Sequence, residues 1–168
     1  MRQLRRTTVG VLVMCVSVLA SDPFLGKWSM DRDGSRFESS QKYGRPFPKT
    51  VVLSIKSIKP KSLVIKFHRV YPQGTRGVPS LVEDSSSVMI SDGKRHSTQI
   101  EGGFTMVWCR INETTLQTSI LKGGDTVMDG TWTVLQKRLV MDTKGVLVTN
   151  DQLDIMRPYH DVIVYDRR

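Results

Sequence analysis

Apolar and polar residues alternate one by one along most of this chain, and no other feature constrains its fold as strongly. In one such run Val51, Leu53 and Ile55 alternate with Ser54 and Lys56. Successive side chains of a β-strand point to opposite faces, so this period predicts strands with one buried face. No window of residues 21–168 sustains the spacing of a long amphipathic helix. The alternating runs are 24–30, 51–58, 63–71, 87–91, 97–100, 104–111, 115–121, 126–135, 139–144 and 161–166.

Short polar connections separate these runs. Asp92-Gly93 is a strong hairpin signal, and 112–114 and 122–125 are further chain reversals. Strands joined by so few residues run antiparallel, because a parallel crossover needs about a dozen residues or more. A barrel or a sandwich satisfies this pattern. We favour a single antiparallel up-and-down β-barrel of about eight to ten strands, since closure leaves no strand edge exposed. The stretches 31–49 and 71–83 are predicted to be long loops, either lids or surface insertions.

The first twenty residues have the pattern of a secretory signal peptide. Arg2, Arg5 and Arg6 precede the apolar run 11–19, and small or branched residues lead to a cleavage site near Ala20. The apolar run is about half as long as the ~20 residues that span a bilayer, which disfavours a retained anchor. We therefore expect residues 1–20 to be removed and residues 21–168 to form one secreted or periplasmic domain.

Candidate catalytic and metal-binding residues are scarce. The sequence has no nucleophile elbow and no pair of acids across an evident cleft, so we predict that the chain is not an enzyme. Cys109 alternates with Val107 and Ile111, which indicates a small buried residue rather than a nucleophile. The three histidines lack metal-ligand spacing, so we expect no metal and no cofactor and place them at the surface. They are His68, His96 and His160.

Positive charge is concentrated in residues 42–76. Nine cations and no acid lie between Glu38 and Glu83, and several alternate with the apolar set. They are predicted to line an outer face that attracts polyanions, or one that simply keeps the protein soluble. Nucleic acid is disfavoured, because Phe67 and Tyr71 fall on the opposite face. The lysines that we assign to a possible anionic-surface patch are Lys56, Lys59, Lys61 and Lys66.

The two ends of the chain resemble known barrel proteins. Residues 22–30, which contain Gly26-Lys27-Trp28, resemble the opening strand of calycin barrels, the lipocalins and fatty-acid-binding proteins. Residues 161–167 are similar to the closing strand of the fatty-acid-binding branch. The chain from 21 to 168 also resembles small secreted bacterial proteins with a lipocalin-like barrel and no assigned function, on the segments 34–37 and 112–116.

The alternation places Trp28 inside, where a buried indole can plug the narrow end of a small barrel while Gly26 lets the backbone close over it. The resemblance implies that a late arginine, Arg157 or Arg167, packs across this tryptophan. It also places Ile163 where fatty-acid-binding proteins have an arginine for the ligand carboxylate. A ligand would therefore be neutral and apolar, or bound by a group that the sequence does not identify.

Two functional hypotheses follow. The first is a non-catalytic barrel that binds a small apolar molecule against Trp108, Trp132 and Tyr165, although all three side chains could instead simply fill the core. The second is an envelope interaction module that binds anionic surfaces through the basic face, with a filled barrel. We assume a monomer.

Overall fold

The computed structural model describes residues 21–43, 46–72, 81–147 and 157–168. The predicted signal peptide lies outside these residues, so the division at residue 20 remains a prediction. The described part consists of strands, one short α-helix and a 3₁₀ turn at Glu101–Gly103. In chain order the elements are β1 Gly26–Phe37, α1 Glu38–Tyr43, β2 Thr50–Lys59, β3 Ser62–Val70, β4 Val82–Ile90, β5 Arg95–Ile100, β6 Phe104–Asn112, β7 Thr115–Lys122, β8 Asp125–Leu135, β9 Arg138–Leu147 and β10 Arg157–Arg167.

The ten strands form one antiparallel sheet in the order β4-β3-β2-β1-β10-β9-β8-β7-β6-β5. Neighbours along the chain are neighbours in the sheet, and β1 also pairs with β10, which brings the two ends of the domain together. The sheet curls into a nearly closed barrel. This confirms the predicted all-β, up-and-down architecture. The 122–125 connection is a tight reversal in which Gly123 and Gly124 have φ of +62° and +98°, values that favour glycine.

Ladder hydrogen bonds do not close the barrel completely. β4 and β5 follow each other in the chain but are the two edges of the sheet. The expected hairpin at Asp92-Gly93 is therefore wrong as a strand pairing. The connection instead carries the chain from one edge to the other, and Asp92 accepts hydrogen bonds from the Lys94 amide and the His96 ring.

The core lies inside the barrel. Leu53 faces Trp28 across β1 and β2, and Ile65 faces Ile55 across β2 and β3; all four side chains are buried. The inner faces of the other strands meet them, as the period-two pattern predicts. The largest fully buried apolar side chains are Trp28, Phe24, Leu53, Ile55, Ile65, Leu116 and Leu139.

Three local expectations were wrong. The stretch 31–49 is not one loop, because β1 continues to Phe37 and α1 follows directly. Cys109 is only half-buried and Ile111 is exposed, since the inward face of β6 is the one that carries Trp108. The last strand begins at Arg157 rather than at the predicted residue 161, so His160 lies within β10. No helix in the described part of the chain is long and apolar enough to cross a membrane.

Candidate functional site

Trp28 fills one end of the barrel. Its side chain is fully buried, and its indole N–H donates a 3.0 Å hydrogen bond to the carbonyl oxygen of Phe24. The guanidinium of Arg167 lies 5.2 Å from the ring centroid, within the range of a cation–π contact. Arg167 is therefore the arginine that covers Trp28. Gly26 has a φ of +138°, and a Cβ there would lie 3.3 Å from the Arg167 Nε, so glycine fits this close approach.

The other half of the barrel contains a cavity of about 350 Å³. Apolar walls come from Phe67, Met141 and Ile163, and from Trp132, whose ring meets that of Phe67 edge to face at 6.1 Å. The barrel is therefore not filled from end to end. The polar side chains that line the cavity are Ser39, Arg69, Tyr71, Thr143, Tyr159, Asp161 and Tyr165.

The segment between β1 and β2 covers part of this cavity. Phe47 and Pro48 line it, and the Phe47 ring packs against that of Phe37 with centroids 3.7 Å apart. At the start of α1, Ser39 is fully buried and donates its amide (2.8 Å) and its hydroxyl (2.5 Å) to the two carboxylate oxygens of Asp161 on β10. Because both donors and both acceptors are satisfied in a buried place, this pair fixes α1 to the barrel wall.

A polar cluster surrounds the same attachment on the outer side. The His160 amide donates to Glu38 at 2.6 Å, and its ring bonds to Asp142 at 2.7 Å and to Arg36 at 2.8 Å. Lys42 forms an ion pair with Glu38, and this bond is the main cause that lowers the pKa of the Glu38 carboxyl. The cluster joins β1, α1, β9 and β10 beside the cavity.

Among the described residues, Arg69 on β3 is the cation that lines the cavity. It shares the inward face of the strand with Leu63, Ile65 and Phe67, and its guanidinium lies 4.4 Å from the centroid of the Phe67 ring. Its Nη1 donates a 2.9 Å hydrogen bond to the Ser85 hydroxyl on β4. Within the part of the chain that the structure describes, Arg69 forms no ion pair. Arg69 is one of the nine cations between Glu38 and Glu83, but its position in the alternation is inward, so it does not belong to the outer basic face.

Tyr165 on β10 exposes only 2% of its surface to solvent, and it lines the same cavity. Its hydroxyl has no hydrogen-bond partner among the described residues. Burial raises the pKa of the Tyr165 phenol well above its usual range, and the nearby positive charge of Arg69 opposes this rise. The phenol of Tyr165 is therefore neutral at ordinary pH.

The raised pKa of Tyr165 predicts a loss of stability at alkaline pH. The unfolded chain releases the phenol proton at a pH of about 10, whereas the folded chain retains it, so the free energy of unfolding falls as pH rises beyond that value. Tyr165→Phe removes this contribution. Urea unfolding at about pH 8 and about pH 11 should show a smaller decrease for the variant than for the parent, because the lysines titrate alike in both. Equal decreases would contradict the assignment.

The structure separates the three predicted cavity residues. Trp132 and Tyr165 border the cavity, and both also belong to the buried core. Trp108 does not line it; its indole N–H donates to the Ile90 carbonyl at 2.9 Å, and its ring stacks on His96 at 5.9 Å. His96 is therefore partly buried against a core side chain, unlike the surface position that we expected.

The four predicted patch lysines are all exposed. Lys56 and Lys66 lie on the outer face of β2 and β3, whereas Lys59 and Lys61 lie at the turn that joins the strands. The structure thus places the four lysines at the surface, and their binding of an anionic surface stays a prediction. The filled barrel that this hypothesis assumed is wrong, because the interior contains the cavity. Among the described residues, no group of three or more His, Cys, Asp or Glu side chains is arranged to hold a metal ion.

Known proteins match this chain through structure alone. No protein-family model matches the sequence, and no curated protein is significantly similar to it. A crystal structure of a mutant of the fluorescent protein UnaG superposes with a TM-score of 0.57 at 16% identity, over 87% of this chain and 96% of that one. A zebrafish ileal bile-acid-binding protein in complex with cholic acid gives 0.52 at 14% identity, over 87% and 99%.

As-p18, an extracellular fatty-acid-binding protein, gives a TM-score of 0.51 at 13% identity, over 88% of this chain and 97% of that one. The superpositions cover nearly the whole of each neighbour, although the identities are low. They show that this domain shares the barrel fold of these neighbours, in agreement with the calycin-like fold that the resemblance of its two ends implies.

Proposed function

We propose that the chain is a secreted or periplasmic, non-catalytic binding protein that holds a small ligand with an apolar body inside the barrel. The observation that supports this most is the cavity of about 350 Å³ between the Trp28 end and α1. Its size lies within the ~300–1,000 Å³ typical of ligand pockets. Aromatic and aliphatic walls with a few polar groups are also typical of such sites.

Two further observations support the proposal. The structural neighbours include a bile-acid-binding protein in complex with cholic acid and a fatty-acid-binding protein, and all share the barrel. The interior of this chain is closed at one end by Trp28 and covered on the other side by Phe47 and Pro48. An apolar molecule in this space would be removed from water on most of its surface, which is favourable by about 25 cal/mol per Å² of apolar area buried.

The experiment fills the cavity from one wall. Thr143 lines the cavity in the middle of β9, opposite Asp161 on β10. Thr143→Trp places an indole in the ligand space, and we expect at least a ~10-fold weaker affinity for N-phenylnaphthylamine, an uncharged fluorescent probe, which corresponds to about 1.4 kcal/mol. Fluorescence titration of the purified protein measures this affinity.

The control uses the next residue of the same strand. Lys144 is exposed on the outer face of β9, so Lys144→Trp adds the same side chain outside the barrel and should leave the affinity unchanged. Thermal unfolding of both variants verifies that they are folded. If the folded Thr143→Trp variant binds the probe as tightly as the parent, the cavity is not the binding site and the proposal fails.

A further inference from the structure

We propose that Asn112 is a glycan attachment site, at which an oligosaccharide is joined to the side-chain amide. The motif is Asn112-Glu113-Thr114, an asparagine followed two residues later by a hydroxyl residue, with no proline between them. The inference rests on the secretion in the proposed function, because such glycans are added to secreted proteins. The other asparagine of the chain, Asn150, has a glutamine two residues later and lacks the motif.

The motif forms the tight turn between β6 and β7. Asn112 is the last residue of β6, Thr115 is the first residue of β7, and the two face each other in the ladder. All three residues of the motif are exposed. An oligosaccharide attached at this turn would therefore extend into solvent and leave the core of the barrel undisturbed.

The hydrogen bonds of the turn leave the acceptor nitrogen of Asn112 available. The side-chain oxygen Oδ1 accepts hydrogen bonds from the Thr114 amide at 2.9 Å and from the Thr114 hydroxyl at 3.2 Å. Because the backbone amide is a donor, the atom that faces it is the oxygen of the side-chain amide, and the nitrogen Nδ2 lies on the other side. Nδ2 forms no hydrogen bond with any described residue.

The transfer that we propose forms one bond and breaks one. Nδ2 loses a proton to a base of the transferase and bonds to the anomeric carbon of the first sugar. The bond between this carbon and the pyrophosphate of a lipid carrier breaks, and the lipid pyrophosphate leaves. The co-reactant is thus a lipid-linked oligosaccharyl pyrophosphate, and the folded turn accommodates the product because Nδ2 is accessible.

The turn lies at the closed end of the barrel, away from the cavity. Arg110 donates a 2.6 Å hydrogen bond to the carbonyl oxygen of Asn112 and forms an ion pair with Asp22 at 3.1 Å. Its guanidinium also lies 4.6 Å from the centroid of the Phe24 ring, and the Phe24 carbonyl accepts the indole N–H of Trp28. None of the described residues that line the cavity belongs to this turn. The oligosaccharide would therefore leave the ligand space unobstructed.

Exposed apolar side chains beside the turn support the same assignment. Ile111, directly before Asn112, is 54% exposed, and Leu135 is 59% exposed. Leu135 lies close to the motif because it follows Val134, whose amide donates a 2.8 Å hydrogen bond to the Thr114 carbonyl. A bulky, solubilising group on Asn112 would shield these side chains from other protein molecules.

The test expresses the whole chain in cultured animal cells, whose secretory pathway contains the transferase, and collects the protein from the medium. Intact-mass spectrometry should show a protein that is heavier than the unmodified chain by one oligosaccharide. Peptide N-glycosidase hydrolyses the bond to Nδ2 and converts the asparagine to aspartate. It should remove the whole of the added mass, and a peptide map should place the aspartate at position 112.

Two substitutions of Thr114 form the matched pair. Thr114→Ala keeps Asn112 but removes the hydroxyl that the motif requires, so the secreted variant should lack the oligosaccharide. Thr114→Ser restores a hydroxyl and should carry the oligosaccharide as the parent does. Thr115→Ala removes a neighbouring hydroxyl outside the motif and should also keep it. Circular dichroism verifies that the variants share the fold of the parent.

The outcomes separate this inference from the proposed function. If no protein reaches the medium, the proposed secretion and this inference both fail, whereas ligand binding is measured independently. If the parent is secreted at the mass of the unmodified chain, or if Thr114→Ala keeps the added mass, this inference alone is overturned.

The position of the turn has a test of its own. Enzymatic removal of the oligosaccharide should leave the affinity for N-phenylnaphthylamine within about twofold, because the turn lies away from the cavity. A larger change would contradict the placement of the oligosaccharide at the closed end.

Discussion

Trp28→Ala is expected to lower the free energy of unfolding by about 3–5 kcal/mol, the range for removing a large aromatic side chain from a core. The indole is fully buried at the closed end of the barrel, in contact with the core that includes Leu53. Its removal leaves a void and deprives the Phe24 carbonyl of the indole N–H that it accepts. Urea unfolding followed by circular dichroism measures the loss.

The control for this variant is Arg167→Gln. It removes the guanidinium above the same ring but leaves the indole in place, and a cation–π contact at an exposed site contributes only about 0.5–1 kcal/mol. A loss in Trp28→Ala no greater than in Arg167→Gln would show that the indole does not hold the barrel end together. If the alanine variant is too unstable to purify, Trp28→Phe can replace it. The phenyl ring fills part of the indole's volume, so this variant should lower the free energy of unfolding by less than Trp28→Ala.

Asp161→Ala is expected to lower the free energy of unfolding by about 2–4 kcal/mol. The carboxylate is buried and accepts two hydrogen bonds from Ser39, so its removal leaves the Ser39 amide and hydroxyl buried without a partner. The loss should be concentrated at α1, because its start would no longer be attached to β10. Hydrogen exchange should therefore accelerate in residues 38–43 more than in the central strands.

Asp142→Ala serves as the comparison for Asp161→Ala. Asp142 lies on the adjacent strand β9 and bonds to His160, but its side chain is half exposed, so we expect about 1 kcal/mol or less. Ser39→Ala should reproduce part of the effect of Asp161→Ala. If Asp161→Ala and Asp142→Ala cost the same, or if exchange at α1 is unchanged, the buried pair does not fix α1.

The architecture was predictable because its signals are local. Alternation with period two and short connections determine antiparallel neighbours, and the Gly26–Trp28 motif placed the plug of the barrel. Which face of each strand points inward was harder to predict. Both Val107 and Trp108 are buried although they are consecutive, so the pattern around Cys109 suggested the wrong inward face.

The polar side of the cavity was missed for two physical reasons. Arg69 has the same parity in its strand as Phe67, so the alternation places it inward, but the sequence analysis counted it only as one of the nine cations of residues 42–76. Asp161 and Ser39 are 122 residues apart, and no local pattern marks a pair that only the meeting of β1, α1 and β10 creates. The helix itself is six residues long, too short to show a period.

The open seam between β4 and β5 has a consequence for how the wall can move. At one end of the seam, the Trp108 indole ties β6 to the last residue of β4 through the Ile90 carbonyl. At the opposite end, β4 begins at Val82, paired with Val70 and one residue from Glu83 and Arg69. The two edges can part there without breaking any strand-to-strand hydrogen bond. Among the described residues no ladder hydrogen bond joins these two edges, so the wall beside Arg69 can widen there through changes in side-chain contacts.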